Sequence, residues 1–196
     1  MEIKEIFYNI IFYPSLAFNK LKEIKKYGGL IFLSALVAFI LNELSYAIAI
    51  KKLAVLKLKL SYFLLPLLLN FIINLVILSA ILYFLRLVLI KEETSARETG
   101  MLIFKVVCIS YLPFYFLPVL SLINISLFGG SKTIFLLLRI LVYLWTAYLQ
   151  FLGFSIITGI DKLRAIIVYI LSLMFMFFFF ELNIVSSITN FIALLI

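Results

Sequence analysis

Histidine is absent from this 196-residue chain, and cysteine occurs once, at Cys108. Without histidine there is no Ser-His or Cys-His nucleophile pair, no imidazole metal ligand and no imidazole proton shuttle near neutral pH. A single cysteine inside an apolar run makes neither an intrachain disulfide nor a thiolate zinc site. It reads as a small buried apolar residue. Acids are scarce, nine Asp and Glu against seventeen Lys and Arg. The sequence has no Gly-rich phosphate loop, no HExxH and no GxSxG. Glu92 and Glu93 are neighbours in a polar loop and do not face one another across a cleft. These absences point away from an enzyme and imply no cofactor and no metal.

What is present in excess is apolar surface. Hydrophobic residues make up 66% of the chain and mean hydropathy is +1.28, whereas a soluble domain is about half apolar. The composition is that of one integral membrane domain. The net charge of +8 sits mostly between the apolar runs, which suits anionic lipid headgroups and topology signals and excludes a nucleic-acid partner.

The expected fold is all-α, a bundle of five transmembrane helices with an N-terminal amphipathic surface helix. The runs fall at about 30–50, 61–89, 106–128, 133–160 and 165–182. The middle run, Val106–Phe128, has no charge over 23 residues and is long enough to cross a hydrocarbon core of roughly 30 Å. It carries Pro113 and Pro118, which deprive the carbonyls of Ile109 and Phe114 of helical partners. Lipid cannot satisfy those carbonyls, so a bend near Ser110–Phe114 and a central place in the bundle are expected. Residues 1–27 form a cytoplasmic lead-in. In it Ile3, Ile6, Phe7, Ile10 and Ile11 recur at helical spacing, and Pro14 ends that helix. A second short helix is expected from about Ser15 to Lys26. Ala47-Ile48-Ala49 resembles a cleavage site, but Asn42 and Glu43 interrupt the apolar core before it, so the first run reads as an uncleaved span. Lys51–Leu60 reads as a short interfacial loop. Ser95 and Glu98 have capping-box spacing, so a helix should start near Ala96. The last segment, 184–196, is short for a crossing and reads as an interfacial tail, a sixth span being the alternative.

Orientation follows from the cations. With the N-terminus inside, eleven Lys and Arg fall in inner segments and six in outer ones, which favours a cytoplasmic N-terminus and an external C-terminus in the cell membrane.

Three stretches together resemble the Yip-one (Ypt-interacting protein one) domain family of five-span membrane proteins. Tyr13-Pro14-Ser15-Leu16-Ala17-Phe18 is similar to the family's P-x-x-A-F segment before the membrane. Thr94-Ser95-Ala96-Arg97-Glu98-Thr99, followed by Ser110-Tyr111-Leu112-Pro113, resembles the loop into the third span and its Tyr-x-Pro kink. Trp145, Gly153 and the run Gly159–Ala165 are similar to the turn between the last two spans. The likeness implies the five-span fold. Eukaryotic members bind Rab-type GTPases through an N-terminal region with an acidic Tyr-Gly-Pro type motif. This sequence contains no such motif, so the resemblance is to the short, prokaryote-like branch, and no residues carry the GTPase partner over.

Polar residues inside the spans form the candidate structural or partner site: Glu43, Asn70, Asn74 and Arg139, joined by Tyr111 and Pro113 at the kink, with Gln150 also intramembrane. Glu43 lies seven residues before Ile50, and Arg139 seven after Lys132. Both are therefore roughly 10 Å from the same face and are expected to meet, directly or through Asn70 or Asn74. Arg139 could instead snorkel outward or take Glu181. Asn70 and Asn74, four apart, should face the bundle. Two functions remain open: a membrane scaffold or adaptor organising protein or lipid partners, including further copies of itself, and a small-solute permease using the intramembrane polar cluster.

Overall fold

The computed structural model of the protein describes residues 3–23, 27–49, 60–89 and 96–181. The described residues are helical, with no strand among them. Helix α1 is Ile3–Phe12, α2 Pro14–Leu21, α3 Gly28–Ala49, α4 Leu60–Leu89 and α5 Ala96–Ile109. A 3-10 turn, Leu112–Phe116, leads into α6, Leu117–Phe128; α7 is Lys132–Thr158 and α8 Lys162–Glu181. Among the described residues, four stretches are long and apolar enough to cross a membrane: Gly28–Tyr46, Leu68–Val88, Glu98–Phe128 and Lys132–Thr158. The expected loop over 51–60, apart from Leu60, which opens α4, the Ser95 end of the capping box and the tail 184–196 lie outside the described residues.

The helix ends follow from local chemistry. Pro14 occupies the first turn of α2, where its missing N–H costs nothing. Gly129 and Gly130 take positive φ, 62° and 78°, a conformation that glycine adopts without Cβ strain. The Ser131 hydroxyl then caps α7 by accepting from the Ile134 N–H. Gly159 closes α7 at φ 73°. Asp161 Oδ1 accepts the Leu163 and Arg164 N–H groups at 2.8 and 3.1 Å, capping α8.

The third run is bent where its prolines fall. Regular α geometry ends at Ile109. The Ser110 N–H still reaches Val106, but the Tyr111 N–H donates to Cys108 and the Phe114 N–H to Tyr111, one residue closer than in an α-helix. The Ser110 hydroxyl also donates to the Val106 carbonyl at 2.7 Å. Pro118 sits in the first turn of α6. Over an 18-residue stretch within Glu98–Phe128, 56% of the residues are buried inside the bundle, against 28% in the corresponding stretch of each of the first two spans and 44% in that of the fourth. Span three is thus the core element: α3 packs along α5, the 3-10 turn and α6; α4 packs on α5; and α7 touches all three pieces. Helix α8 closes the bundle between α4 and α7.

Helix α1 follows its sequence period, with Lys4 and Glu5 exposed and Ile6 and Ile10 fully buried. Those two residues belong to the same apolar core as α2, α5 and α7, so α1 is folded against the bundle. Helix α2 seats Ala17 and Phe18, both fully buried, on α7. A Cβ on Gly153 would lie 2.7 Å from the Phe18 ring and 2.6 Å from Val106 Cγ1. Only glycine allows α2, α5 and α7 to close this tightly. Large apolar side chains such as Leu33, Val76, Leu122, Leu141 and Ile167 remain exposed around the bundle. So much outward apolar surface requires a non-aqueous surrounding.

Candidate functional site

Helix α3 buries a stripe of narrow residues, Ala35, Ala38, Asn42 and Ser45, at intervals of three and four. These residues share one face and let span three approach closely. Asn42 is fully buried on that stripe, and Glu43 is the next residue round the helix, with its side chain 28% exposed. Arg139 reaches across from α7. Its Nη2 donates to Glu43 Oε1 at 3.1 Å and to the Tyr143 hydroxyl at 3.2 Å, while its Nε donates to Asn42 Oδ1 at 3.0 Å. The Asn42 amide donates in turn to Glu43 Oε1 at 2.8 Å and to the Tyr143 hydroxyl at 3.2 Å. The guanidinium carbon lies 4.7 Å from the centre of the Tyr46 ring and 5.4 Å from that of Tyr143, within range for cation–π attraction.

The result is a closed network. One cation meets one carboxylate, the Asn42 carboxamide bonds to both, and the Tyr143 phenol accepts from the cation and the carboxamide. Each charge is thereby neutralised where hydrocarbon could not solvate it. The main backbone contacts of α3 and α7 are with span three rather than with each other, so the side-chain bonds of Arg139 and Tyr143 to Asn42 and Glu43 are what join them.

Glu43 and Arg139 therefore meet directly, as their depth implied. Asn70 and Asn74 take no part. Asn74 donates to Asn70 at 3.0 Å within α4, and both are half-buried beside the inward stripe of Phe71, Leu75, Leu78 and Leu82. The expectation that their face points into the bundle is corrected by about one helical step of roughly 100°: the apolar neighbours take the core, and at its edge the Asn74 amide nitrogen bonds to Asn70 while Asn74 Oδ1 is left without a protein partner.

Tyr111 and Pro113 stand at the 3-10 turn, remote in character from the ion pair but linked to it by rings. Tyr111 packs edge-on against Phe71 and Phe114, and Phe114 against Tyr143. Further along α7, Gln150 Oε1 accepts a hydrogen bond from the Tyr169 hydroxyl of α8. Gln150 and Tyr169 are buried. Helices α7 and α8 thus share a second polar contact.

Asn42, Tyr46, Tyr143 and Tyr169 were not among the sequence candidates. The small-residue period running through Asn42 could have found it; the tyrosines gave no signal, since eleven tyrosines are spread along the chain. A third polar position is Asn124 on α6. It is fully buried, and neither its amide nitrogen nor its side-chain oxygen has a protein partner. One turn earlier, Ser121 donates to the Ser45 carbonyl of α3 at 3.2 Å. Among the described residues no three His, Cys, Asp or Glu side chains come together in a group able to hold a metal.

Fold and site define a class: among the described residues, an all-helical protein with four helices suited to a bilayer and with Glu43 and Arg139 paired inside the bundle. Comparison with family models, with curated proteins and with solved structures finds no match to this chain.

Proposed function

We propose that the chain is a five-span membrane scaffold or adaptor of the Yip-one type, in the cell membrane with its N-terminus cytoplasmic and its C-terminus outside. The fifth span is α8, whose 20 residues reach roughly 30 Å. Helices α1 and α2 lie at the cytoplasmic boundary, their lysines toward anionic headgroups. The family resemblance gains support from the way its pieces converge: Phe18 of the first stretch rests on Gly153 of the third, and the 3-10 turn of the second packs on the same helix.

The observation that carries the scaffold reading is the closed Asn42–Glu43–Arg139–Tyr143 network. A transport site needs polar groups free to exchange partners with a solute. Here the intramembrane charges hold one another and fix the relation of two spans. What such a protein offers to others is a shaped apolar surface and a cationic cytoplasmic lead-in, suited to binding membrane proteins, a second copy of itself, or lipids. The chain needs no catalytic group or cofactor for this.

Cross-linking in its own membrane, followed by identification of captured proteins, tests the reading; specific membrane partners or a defined homo-oligomer are expected. A permease is the second reading, favoured by the unpartnered Asn124 carboxamide. Solute uptake into proteoliposomes that Glu43→Gln abolishes would establish it and remove the scaffold.

A further inference from the structure

Between α1 and the bent span lies a groove of about 340 Å³, lined by Phe7 and Ile11 of α1, Ser34 of α3, and Leu112, Tyr115 and Phe116 of the 3-10 turn. That volume is at the lower end of the range of ligand sites. Its lining is carbon except for one pair of hydroxyls. The Tyr115 hydroxyl donates to the Ser34 carbonyl at 3.1 Å and lies 3.3 Å from Ser34 Oγ. Ser34 and the 3-10 turn belong to the first and third stretches suited to a bilayer, so the groove opens where hydrocarbon is the solvent.

The face of α1 that forms one wall continues to a charge. Lys4, Phe7 and Ile11 stand at i, i+3 and i+7, on one side of the helix. Lys4 is exposed, and its backbone is roughly 10 Å along the axis from Ile11. Glu5 heads the neighbouring face with Tyr8 and Phe12 and does not neutralise the groove side. The wall is held firmly, because α2 is locked on α7 at Gly153 and α1 is anchored through Ile6 and Ile10.

We infer that this groove is a specific site for one anionic phospholipid. An acyl chain fills the space between Ile11, Leu112 and Phe116. The Ser34 hydroxyl offers its proton to an ester oxygen while the Tyr115 hydroxyl stays on the Ser34 carbonyl, and Lys4 holds the phosphate-bearing headgroup. The site gives the lipid-organising side of the proposed scaffold a definite ligand, and it rests on that membrane reading.

The test uses the full chain, delipidated in detergent, given phosphatidylglycerol or phosphatidylcholine, and weighed by native mass spectrometry. One retained phospholipid per chain is expected, with phosphatidylglycerol preferred about fivefold through one lysine contact. Ile11→Phe and Ser34→Phe fill the groove from opposite walls. Each should lower retention about tenfold with helix content by circular dichroism unchanged. Lys4→Gln, at an exposed position, should keep the lipid but erase the headgroup preference. Equal retention by wild type and both filled variants overturns the site, as does a preference that survives Lys4→Gln. A dimer mass that the filled variants dissolve, with no lipid bound, also overturns it and makes the groove a contact between copies. Partner capture is scored separately. Lipid binding that fails while capture persists overturns this site alone; capture that fails while the lipid stays bound overturns the scaffold alone.

Discussion

Two places in the bundle hold polar side chains within apolar helices, and they solve the same problem differently. On α3 and α7, Glu43 and Asn42 meet Arg139 and Tyr143 from another helix. On α4, Asn74 meets Asn70 of its own helix. The first arrangement fixes how two spans sit; the second only hides two amides. The difference lies in chemistry and reach. A lone charge in hydrocarbon costs several kcal/mol and must find a counter-charge wherever the fold can supply it. A carboxamide costs less and settles for a single bond to a neighbour one turn away, even with Asn74 Oδ1 left unpartnered. Intramembrane polarity therefore informs about tertiary structure when it is charged, and much less when it is not.

The largest effect should come from splitting the charged pair. Glu43→Leu leaves the Arg139 guanidinium without its carboxylate and is expected to cost about 3–5 kcal/mol, read as a lowered melting temperature in detergent. Arg139→Gln added to Glu43→Gln should recover much of the loss seen with Glu43→Gln alone. If the two single losses simply add, the pair is not coupled and the contrast with Asn70 and Asn74 disappears.

Next in size is a purely steric test of how α2 and α7 meet, for comparison with the ionic joint of α3 and α7. Gly153→Ala puts a methyl where Phe18 and Val106 already stand, and overpacking of this kind costs about 1–3 kcal/mol. The same change at Gly29, where a Cβ would meet nothing within 4 Å, should not destabilise, and thermal melts of both variants decide the matter. Equal melting temperatures would show that the α2–α7 contact is looser than described.

Asn124 sharpens the comparison from the other side, since it has neither a partner helix nor a partner turn for its carboxamide. Burying such a group unpaired costs about 1–3 kcal/mol. Asn124→Leu, similar in size, should therefore raise the melting temperature, and a fall would mean that the amide is engaged in the membrane. The smallest effect is expected at α4: Asn74→Leu should change stability by about 0.6 kcal/mol. A loss there as large as for Glu43→Leu would place that pair in a tertiary joint after all.

Much of this was legible along the chain. Glycine and proline set the breaks at Pro14, Pro113, Gly129 and Gly159, because φ limits and a missing N–H act locally and need no partner. The depth at which Glu43 and Arg139 would meet follows from simple rise per residue. The resemblance to the Yip-one family is an expectation from the same local motifs, and no comparison bears on it.

Azimuth was less legible than depth. Composition and spacing determined that the chain is helical, apolar enough for a membrane, bent in its third run, and in need of a partner for each buried charge. Only packing decided that Asn42 and Tyr143 complete the ion pair, that Asn70 and Asn74 stay outside it, and that α1 folds onto the bent span to leave a groove. The reason is physical: backbone preference and hydropathy act on one helix at a time, whereas the rotation of each helix is chosen by how side-chain volumes such as Gly153 and Phe18 fit against one another.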